Sequence, residues 1–429
     1  MQELGDLGVS LAKILIPNGS INMNKWSVIA CDQFTSQPEY WEKVAKAVGT
    51  APSILHIVLP EIYLSSPDVD KLIEDTKSNM EEYLSSDLFR ELPEGIVLTE
   101  RDMNGVLRKG ILLAVDLEKY DYRIENKPAV RATEKTLLER IPPRIAIRKD
   151  APLESPHIMV LMDDVNDNVI GPLHMLKDTF EKIYDFDLMM DGGHISGYFT
   201  DDEKLVAQLK DALSDLPVHD GMRFCVGDGN HSLATAKAVW DNAKTALTEK
   251  ERENNPLRYA LCEFVNIHDP GVEFMPIHRV MFKVNVTNCL QAVVSHLNSK
   301  GIEARIVYTH MLNKDMNDGC QIPFASKDRM GKITLSEKVT PAVISIVQDA
   351  LDEYISGTEN SSIDYIHGDD AFNELTGQYD NLGLYFDAID KSTFFDTVIE
   401  NGVLPKKTFS MGEAEQKRYY LECRKISII

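Results

Sequence analysis

The chain has 429 residues, 43% hydrophobic and 26% charged, with 24 Gly and 19 Pro, a composition that excludes a fibrous or disordered chain and exceeds what one ordinary core holds. Lys plus Arg number 45 against 68 Asp plus Glu, and a formal charge of -23 repels phosphate backbones and anionic bilayers, which argues against nucleic acid and membrane as partners. The six cysteines are scattered without a Cys-x-x-Cys pair, Glu3 and Asp6 spoil any signal peptide, and no apolar run approaches the roughly 20 residues of a membrane span, so a cytoplasmic location is expected.

Ser36 and Glu39 have capping-box spacing and predict a helix that Gly49 closes. Residues 54–59 are an apolar run and predict a buried strand. Ser66 with Pro67 opens a second helix, in which Val69, Leu72, Ile73, Met80 and Tyr83 recur at helical spacing. Asn104-Gly105, between strand-like runs 95–102 and 106–117, is a strong hairpin signal. From 127 to 149 the charge inverts: Lys127, Arg131, Lys135, Arg140, Arg144, Arg148 and Lys149 face only Glu134 and Glu139. That stretch reads either as a patch that collects an anion or as a solvated segment paired with the acidic surface around it.

A second hairpin is predicted where 186–190 meets 194–199 across Asp191-Gly192-Gly193, then a capping box at Thr200 and Glu203 and a helix to about Leu213. Beyond Pro256 come strands over 258–267 and 274–280 and a helix around 288–298. Hairpins alternating with helices predict an α+β fold of mixed sheets and packed helices. Soft boundaries divide it into an N-terminal α+β region 1–130, a central region 131–290 and a C-terminal α+β region 291–429, with strands free to be shared.

Chemistry concentrates at Asp228-Gly229-Asn230-His231-Ser232. Phe224, Cys225 and Val226 end an apolar strand, and Leu233, Ala236, Trp240 and Ala243 then fall on one helical face, so the turn stands at a helix N-terminus. Unpaired N–H groups and the helix dipole favour an anion there, and His231 can add a hydrogen bond or a charge. The competing reading is that Asp228, Asn230 or Ser232 only caps the helix. Gly-Asn-His also occurs in two-metal phosphoesterases, but the Asp-x-His, second Gly-Asp and Gly-His-x-His elements of those enzymes are missing, and no metal ligands are predicted.

At this turn and elsewhere the sequence resembles the bacterial and archaeal family called domain of unknown function 1015. Members carry Asp-Gly-His-His-Arg where this chain has Asp228-Gly229-Asn230-His231-Ser232, and Pro-Thr-His-Arg where it has Pro276-Ile277-His278-Arg279. Their His-Glu-x-Thr segment is similar to Thr133-Glu134-Lys135-Thr136, and a late Pro-x-Lys-Ser/Thr-x-Phe segment to Pro405-Lys406-Lys407-Thr408-Phe409. The run from Trp26 to Gln33, containing Asp32, looks like one branch of the family. The resemblance implies a ParB/sulfiredoxin-like phosphate-binding core, a fold shared with free serine kinases.

The implied activity is that of a kinase-like phosphotransferase acting on serine or a related hydroxyl metabolite, with ATP or ADP and magnesium as donor and no tightly bound cofactor. Asp228 to Ser232 would hold donor phosphates, His231 and Arg279 would stabilise developing charge, and Asp32 or Glu134 would be the base. Two departures weigh against it: Asn230 replaces a His, and Ser232 replaces an Arg that would grip phosphate through a bidentate fork. The cation must then come from elsewhere, with Arg131, Arg148, Arg279 and Lys407 as candidates and His278 beside them. The alternatives are a sensor that binds a nucleotide or phosphorylated metabolite without chemistry and a metal-dependent phosphoesterase.

Overall fold

The computed structural model of the chain describes residues 2–123, 125–134, 136, 141–309, 319–366, 368–404 and 409–427. Ile96–Met103 and Val106–Asp116 form the expected hairpin, with Asn104 and Gly105 at φ 57° and 84°, as a two-residue turn between right-twisted strands requires. Alternate residues of the second strand enter different cores: Ile111, Leu113 and Val115 one, Leu112 and Ala114 the other. Tyr259–Asn266 divides in the same way, Ala260, Cys262 and Phe264 against Tyr259 and Leu261. Unbroken apolar runs here are strands buried on both faces.

Two compact units result, Met1–Glu273 with Ala414–Ile429, and Phe274–Glu413. In the first, an eleven-stranded sheet has the spatial order Glu181–Asp187, His194–Thr200, Ile96–Met103, Val106–Asp116, Tyr259–Asn266, Met159–Met162, Phe224–Asp228, Val130–Arg131, Tyr120–Asp121, and Val9–Leu11 attaches to Val106–Asp116 and carries Gln2–Glu3 on its other side. Most pairs are antiparallel, but Met159–Met162 runs parallel to Tyr259–Asn266, and Phe224–Asp228 parallel to Val130–Arg131. The fold is α+β with mixed sheets. The helix Asn230–Ala243 covers one face through Leu233, Ala236 and Trp240, whose indole N–H donates to Glu118 at 2.6 Å.

Residues 414–429 return to this unit as two short strands: Tyr419–Tyr420 pairs with Val28–Ile29, and Arg424–Lys425 with Leu153–Glu154. Buried charges hold them there. Arg418 donates to Glu263 and Glu422, each at 2.7 Å, and Glu422 also accepts from the Tyr184 hydroxyl at 2.5 Å. Glu263 accepts from Thr99 at 3.0 Å, and a Cβ at Gly110 would stand 2.5 Å from its carboxylate, so glycine leaves the space that this carboxylate fills.

The second unit has a six-stranded antiparallel sheet in the order Ala304–Thr309, Met330–Leu335, Gln321–Ala325, Leu382–Leu384, His278–Phe282, Ser362–Ile366. The helices Val286–Ser299 and Pro341–Ser356 share one core with it, built on Leu290, Val293, Val347 and Phe324.

Four local expectations are corrected. The helix expected to open at Ser66 and Pro67 begins at Val69, after Asp68, with no side-chain cap. Residues 54–59 are not a strand: Ile54–His56 is a 3-10 turn, capped by the Ser53 hydroxyl on Leu55 N–H, while Tyr83 grips both backbone groups of Ser53. An apolar run that short carries no period with which to tell the two apart. The helix Pro38–Val48 has Pro38 at its first position and no side-chain cap, and Glu203–Ser214 is capped by Asp202, which accepts from Lys204 and Leu205, rather than by Thr200. Among the described residues no helix is long and apolar enough to cross a membrane.

Candidate functional site

The junction has the strand Phe224–Asp228, Gly229 at φ 82°, and the helix from Asn230. A Cβ at Gly229 would meet Ile158 Cα at 3.0 Å, so the left-handed turn lies close against the neighbouring strand. The three polar side chains that could have capped the helix point elsewhere. Asp228 Oδ1 accepts Gly229 N–H at 3.0 Å, just before the first helical residue. Asn230 is buried, accepts Thr133 N–H at 3.1 Å and donates to Thr133 Oγ1 at 3.2 Å, while Thr133 Oγ1 donates to the Val226 carbonyl at 2.5 Å. Ser232 Oγ meets His157 Nε2 at 3.1 Å. The helix therefore begins without a side-chain cap: Ser232 N–H and Leu233 N–H both donate to the Gly229 carbonyl, at 3.0 and 3.1 Å, and the positive end of the helix dipole lies at this turn.

Lys417 brings a cation to this place. Its Nζ is 3.3 Å from Asp228 Oδ2, the residue is buried, and its charge also reaches Asp32. Asp32 Oδ2 lies 3.8 Å from His157 Nε2, and Asp32 Oδ1 accepts the Gln33 amide at 2.9 Å. Burial pushes the Asp32 carboxyl up, but His157, Gln33 and Lys417 outweigh it and hold the group below its ordinary value. Asp32 is thus an ionised carboxylate at neutral pH.

His157 is fixed from its other side. Nδ1 is 3.0 Å from the Tyr420 hydroxyl, which donates to Cys31 Sγ at 2.9 Å and accepts Cys31 N–H at 3.3 Å. With the phenol proton on Cys31, Nδ1–H donates to Tyr420. Burial, with Asp32 adding to it, raises both the Cys31 thiol and the Tyr420 phenol, so both stay protonated. Arg418 donates to the carbonyl of Pro156, which ties the His157 loop to the buried ion network.

A cavity of about 140 Å³ opens beside these groups, with Glu61, Arg144, Arg148, His157, Ser232 and Tyr420 on its polar side. Arg144 pairs with Glu61, whose carboxyl burial raises against the pull of that guanidinium. Arg148 pairs with Glu154 at 2.6 Å. Burial raises Glu154, but Arg424 and Arg148 outweigh it and hold the group below its ordinary value.

Of the residues singled out in the sequence, Asp32, Asp228 and Ser232 converge on this site, and Asn230 builds its backbone. His231 is the second residue of the helix and half-buried, with its carbonyl accepting from Thr235 at 2.7 Å. Glu134 follows Thr133, which touches Asn230, and is half-buried. The basic stretch splits. Arg148 lines the cavity, whereas Arg131 pairs in register with Cys225, near the start of the strand, and bonds the Asp220 carbonyl there, away from the turn. Lys127 also pairs with Asp220, at 2.7 Å.

His278 and Arg279 belong to the second unit. His278 is buried, stacks on Tyr385 at 4.0 Å and accepts Phe386 N–H at 3.2 Å. Arg279 is buried over Tyr365 and Phe386 and donates to the Ile277 carbonyl at 2.6 Å and to Gln348 at 3.2 Å. Lys407, Lys135, Glu139 and Arg140 lie outside the described residues.

The sequence reading missed His157, Lys417, Tyr420 and Glu61, and it placed Arg144 only within the basic stretch. The signal available for the late pair was Lys417-Arg418-Tyr419-Tyr420, two cations and two phenols in succession; His157 and Glu61 had none beyond their residue type.

A comparison with curated proteins finds no match. Among solved structures the chain is similar to a free serine kinase in complex with AMP, at 11% identity and a TM-score of 0.38 over 73% of this chain and 91% of that one. It is similar to a free serine kinase variant in complex with ADP, at 11% identity and a TM-score of 0.40 with the same coverage. A conserved hypothetical protein from Pyrococcus furiosus aligns at 11% identity and a TM-score of 0.35, over 72% of this chain and 90% of that one. The family described as protein of unknown function (DUF1015) matches residues 15–425. With nearly the whole chain matched, the protein belongs to the DUF1015 family.

Proposed function

We propose that the protein is a small-molecule phosphotransferase that binds nucleotide phosphates at the Asp228 to Ser232 junction and transfers phosphate to the hydroxyl of a small metabolite. The observation that carries this reading is the uncapped first turn of the helix Asn230–Ala243 with the buried Lys417 beside it. The positive end of a helix dipole and a buried cation come together there, which favours a phosphate. Lys417 takes the part of the arginine that Ser232 lacks, as a point charge rather than a fork.

In the reaction the acceptor hydroxyl forms the new O–P bond while its proton passes to Asp32. The bridging P–O bond of the donor breaks, and its electron pair stays on the departing nucleotide, a diphosphate from ATP or a monophosphate from ADP. His157, held by Tyr420 and Ser232, orients the hydroxyl next to Asp32. Lys417 and the helix N-terminus stabilise charge on the phosphoryl oxygens. Magnesium would arrive with the phosphates of the nucleotide.

Phosphorus NMR of the full-length protein with ATP or ADP, magnesium and serine tests this. Expected is nucleotide line broadening and a slow new phosphomonoester signal. Broadening without a new signal over a panel of hydroxyl compounds would identify a phosphometabolite sensor instead, and neither would overturn the assignment of the junction.

A further inference from the structure

The cavity beside the junction carries information about the acceptor. Its volume of about 140 Å³ is close to the roughly 150 Å³ of a cavity that takes up benzene, so it can admit a small hydrocarbon body. One side is apolar, formed by Leu59, Leu64, Met80, Ile147, Leu153 and Leu261. Serine, with a single side-chain methylene, would place almost no hydrocarbon against that wall and forgo the transfer free energy that a hydrocarbon body would gain.

The charges on the other side are unevenly distributed. Glu61 is matched by Arg144, but Glu154 is shared between Arg148 and Arg424, so two guanidiniums meet one carboxylate. Arg148 also keeps a buried Nε without a hydrogen-bond partner among the described residues. Beside Arg148, two guanidiniums against one carboxylate and a buried N–H without a partner favour an anionic ligand group. The hydroxyl-orienting groups His157, Ser232 and Tyr420 share the same lining.

We infer that the acceptor is a hydroxy carboxylic acid with a hydrocarbon body, bound with its carboxylate towards Arg148 and its chain along Leu64, Met80 and Ile147, in preference to a zwitterionic amino acid. That the ligand acts as acceptor rests on the phosphotransfer reading; that the cavity selects this class does not.

Calorimetric titration of the full chain with 6-hydroxyhexanoate, 1-hexanol, 6-amino-1-hexanol and serine is the test. 6-Hydroxyhexanoate is expected to bind about tenfold or more tightly than 6-amino-1-hexanol or serine. Arg148→Met is expected to reduce it to the level of 1-hexanol, and Met80→Phe, which fills the cavity and leaves both charged pairs, to weaken the three six-carbon compounds together. If Arg148→Met does not fold, the wild-type ranking and Met80→Phe decide. Serine binding as tightly as 6-hydroxyhexanoate, or an Arg148→Met protein that keeps the anion preference, would overturn the inference. ADP titrated into the same samples separates the two claims. Hydroxyhexanoate binding without ADP binding removes phosphotransfer and leaves the ligand class, whereas ADP binding without hydroxyhexanoate binding removes the ligand class alone.

Discussion

An arginine at position 232 would point a planar fork at phosphate; Ser232 instead gives its hydroxyl to His157, and the cation that reaches the turn is Lys417, from the far end of the chain. Lys417→Met is therefore expected to weaken ADP binding about tenfold or more in calorimetry, with most of the affinity kept in Lys417→Arg. Asp32→Asn should leave ADP binding in place and lower transfer by about 10²- to 10⁴-fold, the range of a positioned base. The sign of its titration is checkable as well. Because Asp32 is held below its ordinary 3.8, it is ionised throughout neutral pH, and the transfer rate should show no acid limb from this group above about pH 4. Part of this constellation was legible: Asp32 stood in the run from Trp26 to Gln33 that resembles one branch of the family, and Ser232 in a polar turn. Its other half was not, because Ser232 and His157 are 75 residues apart and His157 and Tyr420 are 263 apart, separations that leave no periodic trace in a sequence.

At the scale of elements, the strand–turn–helix around Gly229 could be read because each part has a local physical signature: a run of apolar residues, a glycine where φ is positive, and helical spacing of Leu233, Ala236 and Trp240. Gly229→Ala should cost about 1–3 kcal/mol in urea unfolding, since alanine must adopt a left-handed backbone while its Cβ presses on Ile158. It should also reduce ADP affinity, because the first turn of the helix moves with it. The hairpin at Asn104-Gly105 was equally legible, for its turn residues prescribe the backbone. Residues 54–59 were not: side chains from other segments decide that backbone, among them Tyr83, 30 residues later. The basic stretch was ambiguous for the same reason, since the partners of Arg144 and Arg148, Glu61 and Glu154, are chosen by the tertiary fold.

For the whole molecule, the interleaving of the chain matters most. The first unit closes with residues 414–429, which deliver Lys417 and Tyr420 to the site and are held by the Arg418, Glu263 and Glu422 network. Removing one member leaves buried charge uncompensated, so Arg418→Met is expected to destabilise the first unit by about 3–5 kcal/mol in denaturant titration. Acid should act on the same class of groups. Glu263 and Glu154 are pushed up by burial but held below their ordinary 4.5, Glu263 by Arg108 and Arg418 and Glu154 by Arg424 and Arg148. Their contribution is complete above about pH 4.5 and is lost as pH falls through the lower folded values, so the urea midpoint should hold from pH 7 to about 5 and drop below that. An α+β class was readable from the alternation of hairpins and helices, but a late segment completing an early unit is a choice of topology that composition and spacing do not encode.

The most direct measurement is a crystal structure of the full chain grown with ADP and magnesium. The phosphotransfer reading predicts the terminal phosphate at the first turn of the helix Asn230–Ala243, within hydrogen-bond reach of Lys417 Nζ and facing Asp32. A nucleotide bound elsewhere, or an empty junction at saturating ADP, would contradict it.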